Sequence, residues 1–226
     1  MNPWLTQTRL EIPVFPLPKL VLFPGTWLPL HIFEPRYRAL LTDALASEAR
    51  LIAVAQLKPG WEQNYDGRPA IYPIAGVGRI VKHAKNSNGT FDIVLESLAR
   101  VRLDEGELEP SSLPYRRAAA TVLRERMPKG GVSPSEVSAL LSLATRVAAL
   151  VKRALPGFVM QAEDDDTPAL LSDRIADQFV LDPATRQDLL ETLDVGLRIR
   201  ALTLQLAQLH LALSPNDDSG SAPTMH

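Results

Sequence analysis

From Ile12 to Arg124 the apolar residues come in short runs or in alternation; from Pro134 to Leu213 they recur every three or four residues. The first texture predicts strands and the second predicts helices. Residues 12–17 and 20–23 read as two short strands, followed by a Pro24-Gly25 turn and a further extended run over 27–32. Prolines 13, 16, 18, 24 and 29 keep this region out of helix, because each lacks an amide donor and fixes its own φ. The residue before each is pushed toward extended geometry. Pro35 stands where a first-turn proline costs nothing, and Tyr37, Leu40, Leu41, Ala44 and Leu45 follow at helical spacing. They predict a helix over residues 35–47 with one apolar face.

Residues 51–57 (LIAVAQL) are a continuous apolar run of strand length, as in a strand buried on both faces. Residues 58–69 read as a surface loop. Residues 74–81 predict a strand interrupted by Gly76 and Gly78, and glycine inside a strand marks a bulge or a corner. Asn88-Gly89 predicts a hairpin turn. Beyond it, 91–96 and 99–103 read as two alternating strands, with Arg100 and Arg102 on one face and Val101 and Leu103 on the other. A last strand is expected over 115–124.

The texture changes at Met127-Pro128-Lys129-Gly130-Gly131, where a domain boundary is expected. Ser133-Pro134-Ser135-Glu136 combines a serine cap, a first-turn proline and a glutamate three residues after the cap. Val137, Leu140, Leu141, Ala144, Val147, Leu150 and Val151 then mark a helix that ends at Pro156-Gly157. Leu170, Leu171, Ile175 and Phe179 mark a second. A third is expected to run unbroken from Ala184 to Leu213, opened by Asp182-Pro183 and weakened by about 1 kcal/mol at Gly196. Residues 214–226 are composed like a disordered tail. The fold class expected is α+β, organised as strands over 10–126, helices over 132–213 and the tail.

The chain has 226 residues, of which 46% are apolar, enough for one large domain or two small ones. A net charge of −2 gives no general reason to bind nucleic acid. With no cysteine, thiolate metal sites, disulfides and a cysteine nucleophile are excluded. The N-terminus lacks the pattern of a signal peptide, and no uncharged apolar run approaches the roughly 20 residues of a membrane helix. The expected setting is cytoplasmic, without a membrane.

The search for catalytic chemistry returns nothing. No Gly-Lys pair exists to close a phosphate-binding loop, and Gly76-Val77-Gly78 is followed by Val81 where a dinucleotide loop needs a third glycine. His31, His83, His210 and His226 lack ligand spacing, so no metal is expected. No Gly-x-Ser-x-Gly elbow occurs, and none of the six lysines has a catalytic setting. The acidic run 163–166 reads as a solvated loop. Arg36, Arg38, Arg100, Arg102, Arg116 and Arg117, with carboxylates nearby, read as a mixed-charge surface. Glu34 and Arg36, between Phe33 and Tyr37, are expected to fix a corner as an ion pair. No catalytic residue and no cofactor are expected.

The blocks Pro13-x-Phe15-Pro16-Leu17, Leu22-Phe23-Pro24-Gly25 and Leu30-His31-Ile32-Phe33-Glu34-Pro35-Arg36-Tyr37 resemble the start of the LON substrate-binding domain, the N-terminal domain of the ATP-dependent Lon proteases. Residues 76–81 and the looser match over 98–103 continue the resemblance, and Gln187-Asp188-Leu189-Leu190-Glu191 is similar to the family's helical part. It covers residues 10–210. Where 98–103 departs, Val101 stands for the family's phenylalanine and its glycine is missing.

The resemblance implies a PUA-like β-barrel with a packed helix, followed by a C-terminal helical bundle. It implies a non-catalytic module that binds unfolded or extended protein segments, as an adaptor or holdase, with Lon protease or a second copy as further partners. The Lon ATPase and Ser-Lys protease have no counterpart in these residues. The alternative is a small-molecule- or RNA-sensing PUA-like domain. The motif residues Pro16, Phe23, Pro24, Gly25, Phe33, Glu34, Pro35, Arg36 and Tyr37 are expected to be structural, with the binding surface in the cleft between strands and helices.

Overall fold

The computed structural model describes residues 9–106, 112–163 and 165–214. Trp4 and the expected tail from residue 215 onward lie outside them. The strands are β1 (Leu10–Leu17), β2 (Trp27–Ile32), β3 (Leu51–Gln56), β4 (Ile74–Lys85), β5 (Phe91–Asp104) and β6 (Arg116–Val122). Helix α1 (Pro35–Ala46) lies between β2 and β3, and α2 (Pro134–Ala154), α3 (Pro168–Phe179), α4 (Pro183–Glu191) and α5 (Val195–Leu213) follow the sheet. The protein is α+β: one mixed sheet of six strands, with five α-helices among the described residues.

The strand order is β2-β5-β4-β3-β1-β6, and β6 also pairs with β5. The pairings β5-β4-β3-β1-β6 therefore return on themselves and leave β2 outside the circuit. Only β1–β3 is parallel. β5 closes the circuit because it is long: Phe91–Glu96 pairs with β2 and Val101–Asp104 pairs with β6. The expected strands 91–96 and 99–103 are thus one.

The apolar run in β3 is buried at every position because it faces two cores. Ile52 and Val54 join Phe15, Tyr37, Leu40, Leu41 and Leu95 beneath α1, while Leu51, Ala53 and Ala55 meet Val14, Val77, Val101, Ala118 and Ala120. The second core is rich in alanine. Small side chains suit close-packed opposing strands, where added methylenes force strain. The alanines that make β6 look weak as a strand are what fit it there.

Two elements differ from expectation. Residues 20–23 form no strand. Val21 and Phe23 enter the core of α2–α5, while Leu22 enters the core beneath α1. A Cβ on Gly76 would stand 2.0 Å from the Leu22 carbonyl oxygen, so this segment crosses β4 where only glycine fits. The register shift expected near Gly76 and Gly78 lies between Val77 and Gly78.

The expected single helix over 184–213 is broken into α4 and α5. Asp194 caps α5 by accepting from the Leu197 amide at 2.9 Å, and the Arg126 amide donates to the Leu193 carbonyl at 2.9 Å. Ser133 and Glu136 form the expected capping box on α2, and Asp182 caps α4. By length and composition α2 could cross a membrane, although it carries Leu140, Ala144 and Val147 into the helical core.

Candidate functional site

Where sheet meets helices, polar groups and apolar side chains fill the space. Arg100 on β5 is 2% exposed, so the mixed-charge surface expected for it does not form. Its Nε donates to the Leu190 carbonyl at 2.9 Å, and its Nη1 and Nη2 reach both oxygens of Asp173 on α3 at 2.7 and 2.5 Å. Arg198 on α5, also buried, donates to Ser172 and to the Glu125 carboxylate, which also receives Arg100 Nη1 at 3.1 Å. Burial pushes the Asp173 carboxyl up, and the two guanidiniums oppose that. Arg186 on α4 ties Asp177 to the Val21 carbonyl, and Gln187 donates to the Ile74 carbonyl. At this junction the expected binding cleft is occupied by the protein's own side chains.

Apart from Pro16, which lies on β1, the family-motif residues divide among four places. Phe23 lies in the helical core with the Arg186 guanidinium 5.1 Å from its ring centre. Pro24 and Gly25 turn the chain, with Gly25 at φ +73° against Leu170 of α3. Phe33 is exposed. Glu34, Pro35, Arg36 and Tyr37 start α1, with Glu34 at the N-cap and proline in the first turn.

The Glu34 side chain makes no cap bond. It receives Arg36 Nε at 2.9 Å and the Tyr65 hydroxyl at 2.6 Å, which ties α1 to the β3–β4 loop. Arg36 also donates to the Tyr65 carbonyl at 3.2 Å, and its guanidinium lies 4.7 and 4.9 Å from the Tyr37 and Tyr65 ring centres. Its Nη2 is buried without a hydrogen-bond partner.

Beside this cluster is a cavity of about 260 Å³. Pro16, Leu57 and Leu113 supply apolar wall, Tyr37, Tyr65 and Tyr115 aromatic wall, and Arg36, Arg68 and Arg116 the cations. Arg116 is buried too, against expectation, donating to the Pro69 carbonyl at 2.6 Å with Glu105 3.6 Å away. Its guanidinium is pushed below the usual arginine range, first by burial and then by Arg68 and Arg36. Tyr37 is pushed up to about 12 by burial, so its hydroxyl stays protonated.

A second surface lies on β2, which pairs only with β5 among the described strands. Trp27, Pro29, His31 and Phe33 alternate onto its exposed face, with Trp27 55% and Phe33 62% exposed. His31 pairs with Asp92 at 2.6 Å, and Asn86 donates to the same carboxylate at 2.9 Å. Both bonds hold Asp92 below the usual carboxylate range. Pro29, Leu30 and His31 with Lys82, His83, Ala84 and Val94 line an open groove of about 480 Å³. Among the described residues no three His, Asp or Glu side chains converge as metal ligands.

The family model of the ATP-dependent protease La (LON) substrate-binding domain matches residues 11–208. The chain belongs to this family. The LON domain described here is 31% identical over 199 residues to Lon protease 2 of Sorangium cellulosum, covering 84% of this chain and 24% of that protein. It is 29% identical to the Lon protease of Desulfosudis oleivorans and 27% to that of Escherichia coli, covering 86% and 89% of this chain. It spans about a quarter of the length of these relatives.

Among solved structures the fold matches the N-terminal domain of the Mycobacterium avium complex Lon protease, with a TM-score of 0.60 at 19% identity, covering 88% of this chain and 98% of that one. It also matches a Lon N-terminal domain protein from Xanthomonas campestris, with a TM-score of 0.57 at 23% identity, covering 86% of this chain and 98% of that one. Sequence reasoning singled out Arg36 and Tyr37 of the cavity but missed Tyr65 and Arg68. Their loop carries no periodicity, and only its approach to α1 in space gives it a role.

Proposed function

We propose that this LON domain is a non-catalytic module that holds extended, apolar protein segments on the outer face of β2, acting as an adaptor or holdase. Membership of a substrate-binding family supports protein recognition, and the observation that carries the location is the exposed aromatic pair Trp27 and Phe33 on a one-sided strand. Such an edge can accept a peptide strand, while aromatic side chains supply the anchors. In this reading the closed circuit of pairings is a PUA-like β-barrel and α2–α5 a helical bundle, over 10–126 and 132–213. The motif residues other than Phe33, and apart from Pro16, Arg36 and Tyr37 at the cavity beside α1, serve structure, and the setting is cytoplasmic, with Lon protease or a second copy as further partners.

The test is titration with unfolded model proteins and apolar peptides. Saturable binding that weakens by about 2 kcal/mol on Trp27→Ala is expected, since anchors of this kind carry that much. Absence of binding at millimolar concentration, roughly −4 kcal/mol, removes the proposal. A second reading, a small-molecule sensor, is favoured by the cavity beside Arg36 and Arg116.

A further inference from the structure

The cavity between β1, α1 and the β3–β4 loop is built differently from a structural ion-pair cluster. Arg36 spends Nε on Glu34 and Nη1 on a carbonyl, which leaves Nη2 buried and unpartnered. A buried donor without an acceptor is unfavourable, so an acceptor supplied by a ligand would be favoured there. Arg116 approaches from β6, Arg68 from the loop, and the three guanidiniums line one cavity with the Tyr37 side chain. Of the nearby carboxylates, Glu34 is already engaged twice and Glu105 stands 3.6 Å from Arg116. Asp66 and Arg68 line the same cavity on its exposed side, which leaves Arg36 and Arg116 as the cations of its inner side. The buried side of the cavity is therefore cationic and donor-rich.

Size narrows the occupant. A volume of about 260 Å³, open to solvent on one side, lies just below the roughly 300–1,000 Å³ of ordinary ligand pockets and suits a group about the size of one amino-acid residue. The wall is half suited to such a group already: Pro16, Leu57 and Leu113 for an aliphatic side chain, Tyr65 and Tyr115 for its flanks, and Asp66 as an acceptor for an N–H.

We infer that this cavity binds the carboxylate of an apolar amino-acid residue, with Arg36, Arg116 and Tyr37 taking the anion and Pro16, Leu57 and Leu113 taking the side chain. Bidentate guanidinium–carboxylate contacts give such a site strength and orientation. Two sources carry this chemistry: the free C-terminus of a polypeptide and a free amino acid. The first source rests on the reading of the protein as a polypeptide-recognising module; the site itself does not.

The test is calorimetric titration of the full chain with one short peptide ending in leucine, as its acid and as its C-terminal amide, with free leucine and sodium acetate alongside. The acid is expected to bind saturably and the amide at least about tenfold more weakly. Arg36→Gln and Arg116→Gln should each weaken the acid about tenfold, while Lys152→Gln, exposed on α2, leaves it unchanged. If Arg116→Gln does not fold, Arg36→Gln, at a half-exposed position, carries the comparison together with NMR shifts of the Tyr37 ring on adding acid and amide. Free leucine matching the peptide supports the site and assigns it to amino acids; a clear preference for the peptide assigns it to chain termini. Equal binding of acid and amide, acetate as tight as the peptide acid, or no binding of any probe at roughly 10 mM overturns the inference. Failure of unfolded proteins to bind the β2 face, with the peptide acid still bound, removes only the polypeptide-face reading.

Discussion

Two groups of arginines in this LON domain, one wholly buried and one partly, look alike in composition and differ in completeness. At the sheet–helix junction, the nitrogens of Arg100 and Arg198 all meet Asp173, Glu125, Ser172 or backbone carbonyls, and the buried atom left without a partner there is a neutral one, Gln187 Oε1. Beside α1, Arg36 and Arg116 meet fewer acceptors, one nitrogen is left over, and a cavity adjoins them. A fully satisfied buried network rigidifies a structure; a partly satisfied one beside empty volume has capacity for something else. That difference separates the cluster that joins parts of the fold from the one that can take a ligand.

The comparison can be broken most severely at Asp173. Asp173→Ala leaves two buried guanidiniums, Arg100 and Arg198, sharing the Glu125 carboxylate, and is expected to cost about 3–5 kcal/mol in urea denaturation. A loss under about 1 kcal/mol would mean that the junction is as incomplete as the cavity. Phe23→Ala opens a hole in the helical core from the sheet side and should cost about 3 kcal/mol, read as a lower urea midpoint at unchanged slope. Gly25→Ala forces an L-residue to φ +73° against Leu170 and should cost about 1–2 kcal/mol in the same assay.

Arg36→Gln sharpens the contrast from the other side. It removes the Glu34 pair and the unpartnered nitrogen together, so stability should change by no more than about 1 kcal/mol while carboxylate binding is lost. The smallest effect is alkaline. Tyr37 and Tyr115 are both pushed up to about 12, chiefly by burial and, for Tyr115, also by its hydrogen bond to the Asp43 carboxylate. The folded state therefore keeps phenol protons that the unfolded chain releases near the ordinary value of 10.0. Stability is expected to fall as pH rises from about 10 to about 12, with no such slope below 10 from these groups. Phenolate absorbance followed alongside unfolding checks it, and titration of both tyrosines at the ordinary value removes the claim.

How much could be read from the chain follows the range of the interactions. The capping box at Ser133 and the cap at Asp182 act over three residues, and both stand where their pattern places them. Residues 20–23 have the texture of a strand because alternate side chains do enter different cores, but pairing depends on neighbours that the segment itself does not specify. Arg100 was misplaced by the same limit. Alternation puts it on the face of exposed Arg102, yet helices cover that face at Arg100, through partners 73 and 90 residues away. The cavity was half legible: Arg36 and Tyr37 lie in a family motif, whereas Arg68 and Arg116 join it only in space.

The placement of Val21 and Phe23 in the core of α2–α5 has a consequence for synthesis on the ribosome. Roughly 180 residues separate Phe23 from Leu202 in that core, about ten to thirty-five seconds of elongation at 5–20 residues per second. Through that interval the sheet can close while its apolar spur waits in solvent for helices not yet made. The nascent chain thus shows a sticky segment of its own until α4 is made, whose Arg186 lies over the Phe23 ring and donates to the Val21 carbonyl.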